Sequence, residues 1–197
     1  MLRVGLTGSI ATGKSTVLAV FAAEGIPTFS SDEAVHRLYG GAAVAPVEAL
    51  FPGVTIDGAI DRDRLARAVL GSPEKLRALE AVVHPMVRGE IASFFAGAEA
   101  AGMPLAVADI PLLYENGFDY GLDRVIVTAV DESVQRARAL ARPGMTVEKL
   151  DAILARQLPQ VEKRRRADHV IDTGAPIAET EIAVRTLIEE LRAQATA

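Results

Sequence analysis

A run of eight residues near the start of the chain has the composition and spacing of a phosphate-binding P-loop. Residues 8–15 read Gly-Ser-Ile-Ala-Thr-Gly-Lys-Ser, which matches G-x-x-x-x-G-K-S. In such a loop, backbone N–H groups and the positive end of the following helix surround a polyphosphate. Lys14 is long enough to reach the β- and γ-phosphates, and Ser15 can supply its hydroxyl to Mg²⁺. The predicted nucleotide-binding residues are Gly8, Ala11, Thr12, Gly13, Lys14, Ser15 and Thr16.

The segments on either side of this loop favour a nucleotide site over a glycine turn that binds nothing. Leu2–Thr7 is short, mostly apolar and typical of a strand, and apolar residues recur at helical spacing from Val17 to Phe21. Strand, loop and helix in that order are the context that the motif requires. The sequence therefore predicts binding of a nucleoside triphosphate together with Mg²⁺.

Two aspartates follow predicted strands and are candidates for chemistry at this site. Asp109 ends the apolar run Leu105–Asp109 and resembles a Walker B aspartate, which orients Mg²⁺, although an aspartate also commonly starts a turn. Asp32 follows the second predicted strand, where a carboxylate can accept the proton of an attacking hydroxyl. Its alternative role is to cap a helix that starts near Glu33, a role that Ser31 can share.

Arginines recur through the later part of the chain, at positions 136, 138, 142 and 156. The guanidinium group binds phosphate oxygens in pairs, but a solvated helix face with ion pairs is the more typical role for most of them. Arg142 differs because it lies at an Arg-Pro-Gly break, which predicts a mobile loop tip able to close over ATP. The run Lys163–Arg166 is more typical of a solvated face than of a phosphate clamp.

Composition limits the classes of protein that remain. The 197 residues carry a net charge of −5 and no cysteine, which excludes disulfides, thiolate metal sites and cysteine nucleophiles. The negative charge argues against bulk nucleic-acid binding. No apolar run approaches the roughly 18–20 residues of a membrane span. We expect a cytoplasmic protein with small-molecule substrates, without nucleic-acid or membrane partners.

Apolar strand-like runs alternate with helical patterns along the whole chain, which predicts an α/β fold with a parallel sheet flanked by helices. Together with the P-loop, this predicts the fold of the P-loop nucleoside triphosphate hydrolases, as a single domain over residues 1–197. The five predicted strands are Leu2–Thr7, Ile26–Ser30, Leu105–Asp109, Arg124–Ala129 and His169–Asp172.

Two helical excursions interrupt this alternation. The first, at about 33–103, is interpreted as a substrate-binding insertion, with helices beginning at Asp61 and at Ser72-Pro73 and a break at His84-Pro85. The second, at about 131–167, is interpreted as a lid, broken at Arg142 and restarted by Thr146 as N-cap.

Motifs that mark other P-loop proteins are absent from the sequence. The chain has no N-K-x-D and no D-x-x-G after the third strand, which argues against a GTPase. It has no L-S-G-G-Q, which argues against a transporter ATPase. The class that remains is that of the small kinases.

Within the small kinases, the chain resembles the dephospho-coenzyme A kinase family over almost its whole length. The segments that carry the resemblance are 4–8 before the P-loop, Ser31-Asp32 with Val35-His36-Arg37, His84-Pro85, Asp109-Ile110-Pro111-Leu112-Leu113-Tyr114-Glu115, Arg142, Arg156-Gln157 and Ala167-Asp168-His169-Val170-Ile171-Asp172. The Pro-Leu-Leu-Tyr-Glu segment and the segment ending at Asp172 are the specific ones, because many activities share the P-loop.

The resemblance implies transfer of the ATP γ-phosphate to the 3′-hydroxyl of the dephospho-coenzyme A ribose, the last step of coenzyme A synthesis. It implies that Asp32 is the general base and that Arg142 and Lys14 stabilise the transferring phosphoryl group. ATP and Mg²⁺ are the implied cofactors, with Ser15 and Asp109 at the metal. The implied substrate contacts are Asp32, His84, Leu113 and Glu115.

Two positions depart from the family pattern. The family commonly has D-A-D where this chain has Ser30-Ser31-Asp32, so the first acid is missing and the predicted base is kept. Ala11 stands where glycine is frequent, which costs little if its φ angle is negative.

Two other functions stay open on the sequence alone. A nucleoside monophosphate kinase has the same architecture and needs arginines for its acceptor phosphate, and the predicted insertion has five, at positions 62, 64, 67, 77 and 88. A regulatory protein that senses ATP needs no acceptor. The sequence does not distinguish a monomer from a small homo-oligomer.

Overall fold

The main element of the fold is a five-stranded parallel sheet. In the computed structural model, which describes residues 1–195, seven strands occur: β1 Leu2–Gly8, β2 Thr28–Ser30, β3 Thr55–Ile56, β4 Ala59–Ile60, β5 Leu105–Asp109, β6 Arg124–Ala129 and β7 His169–Asp172. The large sheet has the order β2-β5-β1-β6-β7, and β3 pairs with β4 separately. All five strands predicted from the sequence are therefore present, three of them with the predicted bounds.

Helices connect the strands, as the alternating pattern predicts. Within the described residues they are α1 Lys14–Ala23, α2 Ser31–Tyr39, α3 Val44–Leu50, α4 Arg62–Val69, α5 Pro73–Ala100, α6 Glu132–Leu140, α7 Val147–Leu154, α8 Gln160–Arg166 and α9 Ile177–Ala195. Asp61 and Thr146 cap α4 and α7 as predicted, since their side chains accept hydrogen bonds from the N–H groups of Arg64 and Lys149.

Strand register brings the ends of three strands to one edge of the sheet. In the pairing of β1 with its neighbours, Leu6 lies opposite Asp109 and Gly8 lies opposite Thr128. The middle of the sheet is apolar on both faces, as parallel sheets covered by helices require. Val4 and Leu6 are fully buried there, in one cluster with Phe21 of α1. This packing fixes the edge at which the P-loop begins.

The chain divides into two compact units. The first comprises residues 1–29 and 95–197, and the second comprises residues 30–94. The second unit has an apolar cluster of its own, in which Val47, Leu65 and Val83 are buried.

The predicted break at His84-Pro85 is wrong, because α5 continues through Pro85 for 28 residues. A proline inside a helix costs about 3 kcal/mol relative to alanine. Here Leu79 and Val83 before it and Ile91 after it are all buried. Burial of an apolar stripe on both sides of the proline outweighs that cost, since each buried aliphatic side chain contributes about 1.5–3 kcal/mol.

The second unit also contains a short hairpin where the sequence predicts only helices. The strands β3 and β4 are joined by Asp57 and Gly58, whose φ angles are 48° and 78°. Positive φ at both central residues is the geometry of a type I′ turn, for which Asp-Gly is a preferred sequence. The Asp-Gly pair was therefore the local signal for this hairpin.

Candidate active site

The P-loop runs from the end of β1 to the start of α1, as predicted. Gly13 precedes the helix with a φ angle of 81°, in the left-handed region that glycine adopts without strain. The first N–H groups of a helix have no acceptor within it, so those of Lys14 and Ser15 face the loop's concavity. Among the described residues, none forms an ion pair with the Lys14 ammonium group. The loop thus presents N–H donors and one cation to a phosphate.

Threonine hydroxyls hold the loop from inside. The Thr12 hydroxyl lies 2.8 Å from that of Thr128 and donates to the Ser9 carbonyl, and the Thr173 hydroxyl donates to the Thr12 carbonyl at 2.9 Å. Thr12 is 1% exposed, so its side chain supports the loop rather than facing the nucleotide. Gly8 is required in this packing, because a Cβ atom there would collide with the hydroxyls of Thr128 and Thr12.

Ala11 does not have the negative φ angle under which it would be harmless. Its φ angle is 60°, in the left-handed region, which costs an L-residue roughly 1–2 kcal/mol. The residue is buried, and its methyl group belongs to an apolar cluster with Ala139 and Leu150. Packing of that methyl group against α6 and α7 offsets part of the backbone cost.

Arg142 lies beside the P-loop, in the loop that follows α6. A cavity of about 340 Å³ is lined by Ala11, Gly13, Ser15, Thr16, Arg138, Arg142, Thr173, Ala175, Ile177 and Thr180. Arg138 is anchored, since its guanidinium donates to the Thr173 carbonyl at 2.8 Å. Arg142 is exposed, and its guanidinium has no hydrogen-bond acceptor within the described part of the chain. The cavity therefore joins phosphate-binding N–H groups to a cation on a loop.

Most of the remaining arginines of this region lie on exposed or partly exposed helix faces, as the sequence predicts. Arg136 forms an ion pair with Asp151 at 2.9 Å on a partly exposed face, and Arg156 is exposed. Arg165 and Arg166 both bond to Glu162, and these hydrogen bonds hold the pKa of that carboxyl at about 2. These side chains therefore lie on solvated faces, whereas Lys163 of the same basic run does not.

Asp109 ends β5 at the edge of the sheet where β1 enters the P-loop. It is 5% exposed, and its backbone lies in register with Leu6. Within residues 1–195, no group of three or more His, Asp or Glu side chains is arranged to hold a metal ion. A hydroxyl from Ser15 and one carboxylate suit Mg²⁺, which keeps several waters and binds through few protein ligands together with substrate phosphates.

Asp32 lies in the second unit, at the second residue of α2. The helix begins at Ser31, and its N-cap is Ser30, whose hydroxyl accepts from the Glu33 N–H at 3.3 Å. Asp32 and Ser31 are therefore not the cap, contrary to the alternative that the sequence left open. The Asp32 carboxylate is exposed and accepts no hydrogen bond from any residue that the structure describes. Ser30, which stands where the family pattern commonly has its first acid, serves here as the N-cap of α2.

His84 and Leu113 are the other predicted substrate contacts, and the structure places them in different units. His84 lies in α5, partly buried, in the turn before Pro85. Leu113 lies in the first unit, in the loop after β5, and is 7% exposed.

Glu115 and Lys163 form a buried ion pair. The Lys163 ammonium lies 2.8 Å from Glu115 Oε1, and the two side chains are 0% and 14% exposed. The same oxygen accepts from the Leu158 N–H at 2.7 Å. Burial lowers the pKa of Lys163, Glu115 opposes that shift, and the charge of Lys14 adds to it. The prediction of a solvated face is therefore wrong for Lys163, because the Glu115 carboxylate makes burial of its charge possible.

Glu115→Gln is expected to lower the free energy of unfolding by about 3–5 kcal/mol near neutral pH, because a buried ammonium loses its partner. The pKa of Lys163 would then fall further below its unfolded value. Between the folded and the unfolded pKa, Lys163 carries a proton in the unfolded chain that it lacks in the folded one. The free energy of unfolding should therefore rise with pH as Lys163 deprotonates in the folded state. Urea unfolding at about pH 7 and pH 9 measures both effects.

Two variants control this prediction. Glu190→Gln, on the exposed face of α9, should leave the unfolding midpoint unchanged. Adding Lys163→Met to Glu115→Gln should recover stability, because the unpaired charge is gone. A Glu115→Gln protein as stable as the parent at neutral pH would contradict a buried, charged pair.

Comparison with known proteins decides the family. The family model described as dephospho-CoA kinase matches residues 2–179. The chain belongs to the dephospho-CoA kinase family. The dephospho-CoA kinase of Mesorhizobium japonicum is 52% identical to it over 194 residues, which is 98% of each chain. Membership makes the chain an ATP-dependent kinase of dephospho-CoA, an enzyme of coenzyme A biosynthesis, as the sequence predicts.

Solved structures agree with this dephospho-CoA kinase assignment at the level of the fold. The crystal structure of TT1252 from Thermus thermophilus is similar with a TM-score of 0.80 at 35% identity, covering 96% of this chain and 97% of that one. The dephospho-CoA kinase of Campylobacter jejuni has a TM-score of 0.70 at 24% identity, covering 96% of both chains. The predicted P-loop kinase fold is confirmed. No helix within residues 1–195 is long and apolar enough to cross a membrane.

Proposed function

We propose that this chain transfers the γ-phosphate of Mg·ATP to the 3′-hydroxyl of the dephospho-CoA ribose, with Asp32 as general base and with Lys14 and Arg142 stabilising the transferring charge. The observation that carries the proposal is the cavity that brings Ser15 of the P-loop and Arg142 together. Phosphoryl transfer is catalysed mainly by positioning and by neutralising charge, and this cavity contains groups for both.

The two cations come from different elements. Lys14 begins α1, next to the N–H groups that cradle phosphates, and Arg142 follows α6 on an exposed loop. A guanidinium binds two phosphate oxygens at once, so Arg142 can follow the phosphoryl group from one side while Lys14 binds it from the other. Movement of the Arg142 loop would also exclude water and limit wasteful hydrolysis of ATP.

Asp32 suits the role of base because its carboxylate is exposed and is not used in the structure around it. A ribose hydroxyl must lose its proton as it attacks, and a carboxylate can accept that proton. With Ser30 as the cap of α2, the side chain of Asp32 has no structural function among the described residues. That leaves it available to a substrate.

Ser15 and Asp109 are the residues that we propose for Mg²⁺, Asp109 through the water shell. When bound, Mg²⁺ supplies neutralisation of phosphate charge. His84 and Leu113 remain proposed contacts of the acceptor. Glu115 is proposed to act through Lys163, whose charge it keeps near the phosphate site. We further propose a cytoplasmic enzyme, monomeric or a small homo-oligomer, without nucleic-acid or membrane partners.

A nucleoside monophosphate kinase, the rival small kinase, would need arginines free to bind an acceptor phosphate. Two of the five candidates are engaged elsewhere. The Arg62 guanidinium lies 5.8 Å from the ring centre of Tyr39, and Arg64 donates to the Gly53 carbonyl at 3.2 Å. These contacts make Arg62 and Arg64 less available to an acceptor phosphate, whereas a hydroxyl acceptor needs a base rather than a second anion site.

The 3′-deoxy analogue of dephospho-CoA tests the position of transfer. It keeps every other group of the acceptor and lacks the attacking oxygen. We expect ADP release from Mg·ATP with dephospho-CoA and only the background rate with the analogue, which should still compete as an inhibitor. Turnover of the analogue would show that another hydroxyl is phosphorylated.

A further inference from the structure

A network of three glutamines holds the two peptide groups on either side of the Ile10 Cα atom in the P-loop. The Ile10 N–H donates to Gln157 Oε1 at 3.0 Å, and the Ile10 carbonyl accepts from Gln135 Nε2 at 2.8 Å. Gln160 Nε2 donates to Gln135 Oε1 at 2.7 Å, and Gln160 Oε1 accepts from the Val130 N–H at 3.1 Å. We call Gln135, Gln157 and Gln160 the glutamine clamp. It connects the P-loop to the end of β6.

The clamp satisfies both polar groups of the Ile10 residue, which lies in the middle of the loop. Loops bind phosphate through N–H groups that must already point at the anion. The bond to Gln157 fixes the Ser9–Ile10 peptide, and the bond to Gln135 fixes the Ile10–Ala11 peptide and with it the direction of the Ala11 N–H. Gln135 is 3% exposed, so water has little access to its amide and competes weakly for these hydrogen bonds. The clamp is thus built to hold a conformation.

The conformation being held is a strained one. Ala11, the next residue, has a φ angle of 60°, and rotation of the Ile10–Ala11 peptide is the simplest way for the loop to relieve that strain. An alanine at this position therefore needs an external restraint more than a glycine would. The clamp supplies that restraint on the preceding residue.

The clamp also joins the loop to the predicted lid. Gln135 belongs to α6, the helix that leads to Arg142, and Gln157 and Gln160 lie at the junction of α7 and α8. All three lie within residues 131–167. The elements that carry the lid thus also set the shape of the P-loop.

We propose that Gln135, Gln157 and Gln160 are positioning residues that hold the P-loop ready to bind the phosphates of the nucleotide. This rests on the P-loop site of the proposed function, but not on the identity of the acceptor. The clamp acts through the two peptides on either side of Ile10, and none of the three glutamines needs to touch the nucleotide.

Binding of Mg·ADP to the folded protein tests the clamp without any acceptor. Methionine has a similar shape to glutamine and no amide, so Gln157→Met and Gln135→Met each remove one bond to Ile10. We expect each to weaken ADP binding by about 5- to 20-fold, since one hydrogen bond to the loop is removed in each. Gln160 forms its side-chain hydrogen bonds with Gln135 and Val130 and none with Ile10 within residues 1–195, so Gln160→Met should have a smaller effect. Gln194→Met, which removes a bond to Arg124, is the matched control.

The background of Ala11→Gly separates positioning from general stability. Glycine removes the left-handed strain at position 11. In the Ala11→Gly background, Gln157→Met should therefore weaken ADP binding by less than about half the fold-change that it causes in the parent. A double-mutant cycle measures this coupling. Thermal melting confirms that each variant is folded at the assay temperature. If Gln135→Met does not fold, Gln157→Met, at the partly exposed position, carries the test.

Two results would overturn the proposal. One is ADP binding by Gln157→Met within about twofold of the parent, a difference too small to represent a lost hydrogen bond. The other is an equal loss of affinity on Gln157→Met with and without the Ala11→Gly substitution. A parent protein that binds ADP but does not phosphorylate dephospho-CoA would leave this test intact and contradict only the proposed function.

Discussion

Asp32→Asn is expected to lower kcat by about 10²- to 10⁴-fold, the usual contribution of a general base. Asparagine has the same shape and cannot take the proton of the attacking hydroxyl. Because the Asp32 carboxylate neither caps α2 nor accepts a hydrogen bond from any described residue, the change should not affect folding. The dissociation constant for Mg·ATP should stay within about twofold, since the P-loop is untouched. Steady-state rates with dephospho-CoA and nucleotide titration measure the two quantities.

Glu33→Gln is the matched control for this variant. Glu33 is the next residue of the same helix turn, it is also exposed, and the substitution makes the same change of charge. Its kcat should remain within about twofold of the parent. If Asp32→Asn and Glu33→Gln have the same rate as the parent, Asp32 is not the base. If both fall equally, the cause is the charge of the first turn of α2.

Arg142→Met is expected to lower kcat by about 10³-fold or more, the range seen for arginines that stabilise transferring phosphoryl groups. Methionine keeps much of the aliphatic side chain and removes the charge and the paired N–H donors. The Arg142 guanidinium has no hydrogen-bond partner among the described residues, so we expect no change in the thermal midpoint. Arg142→Lys should recover only part of the rate, because an ammonium cannot bind two oxygens in a plane.

Arg136→Met serves as the control for Arg142. Arg136 is on the same helix-and-loop segment and pairs with Asp151 at a partly exposed surface, where such pairs contribute little. Its kcat should be close to that of the parent. An Arg142→Met enzyme with less than about tenfold loss of kcat would contradict a role in the transition state.

Local patterns were sufficient to predict the parts of the fold that local chemistry determines. The P-loop, the end of β5 at Asp109 and the caps at Asp61 and Thr146 each follow from a short run of residues whose geometry permits few alternatives. The buried strands were recognisable because a parallel sheet covered on both faces needs continuous apolar runs.

The features that sequence reasoning missed depend on contacts between distant residues. Lys163 belongs to a run of four basic residues, and only its position opposite Glu115 shows that it is buried. A proline ends most helices, but burial of apolar residues on both sides of Pro85 keeps α5 continuous. The φ angle of Ala11 is likewise set by the loop's tertiary bonds. None of these has a local signal strong enough to outweigh the usual pattern.

The glutamine clamp was missed for a related reason. Gln157 is recognisable only as part of the Arg156-Gln157 segment that resembles the family, and Gln135 and Gln160 have no local pattern at all. Glutamines 22 and 3 residues from Gln157 become one network only because α6 and α8 meet at the P-loop. The Asp-Gly pair at the tip of the β3–β4 hairpin differs from these, since its signal was present in the sequence.

The most direct measurement is ADP release by the purified protein with Mg·ATP and dephospho-CoA, compared with a panel of nucleoside monophosphates, with the products identified by chromatography. We expect rapid release with dephospho-CoA and with none of the monophosphates, and a product that elutes with coenzyme A. Rapid release with a monophosphate, and none with dephospho-CoA, would contradict it.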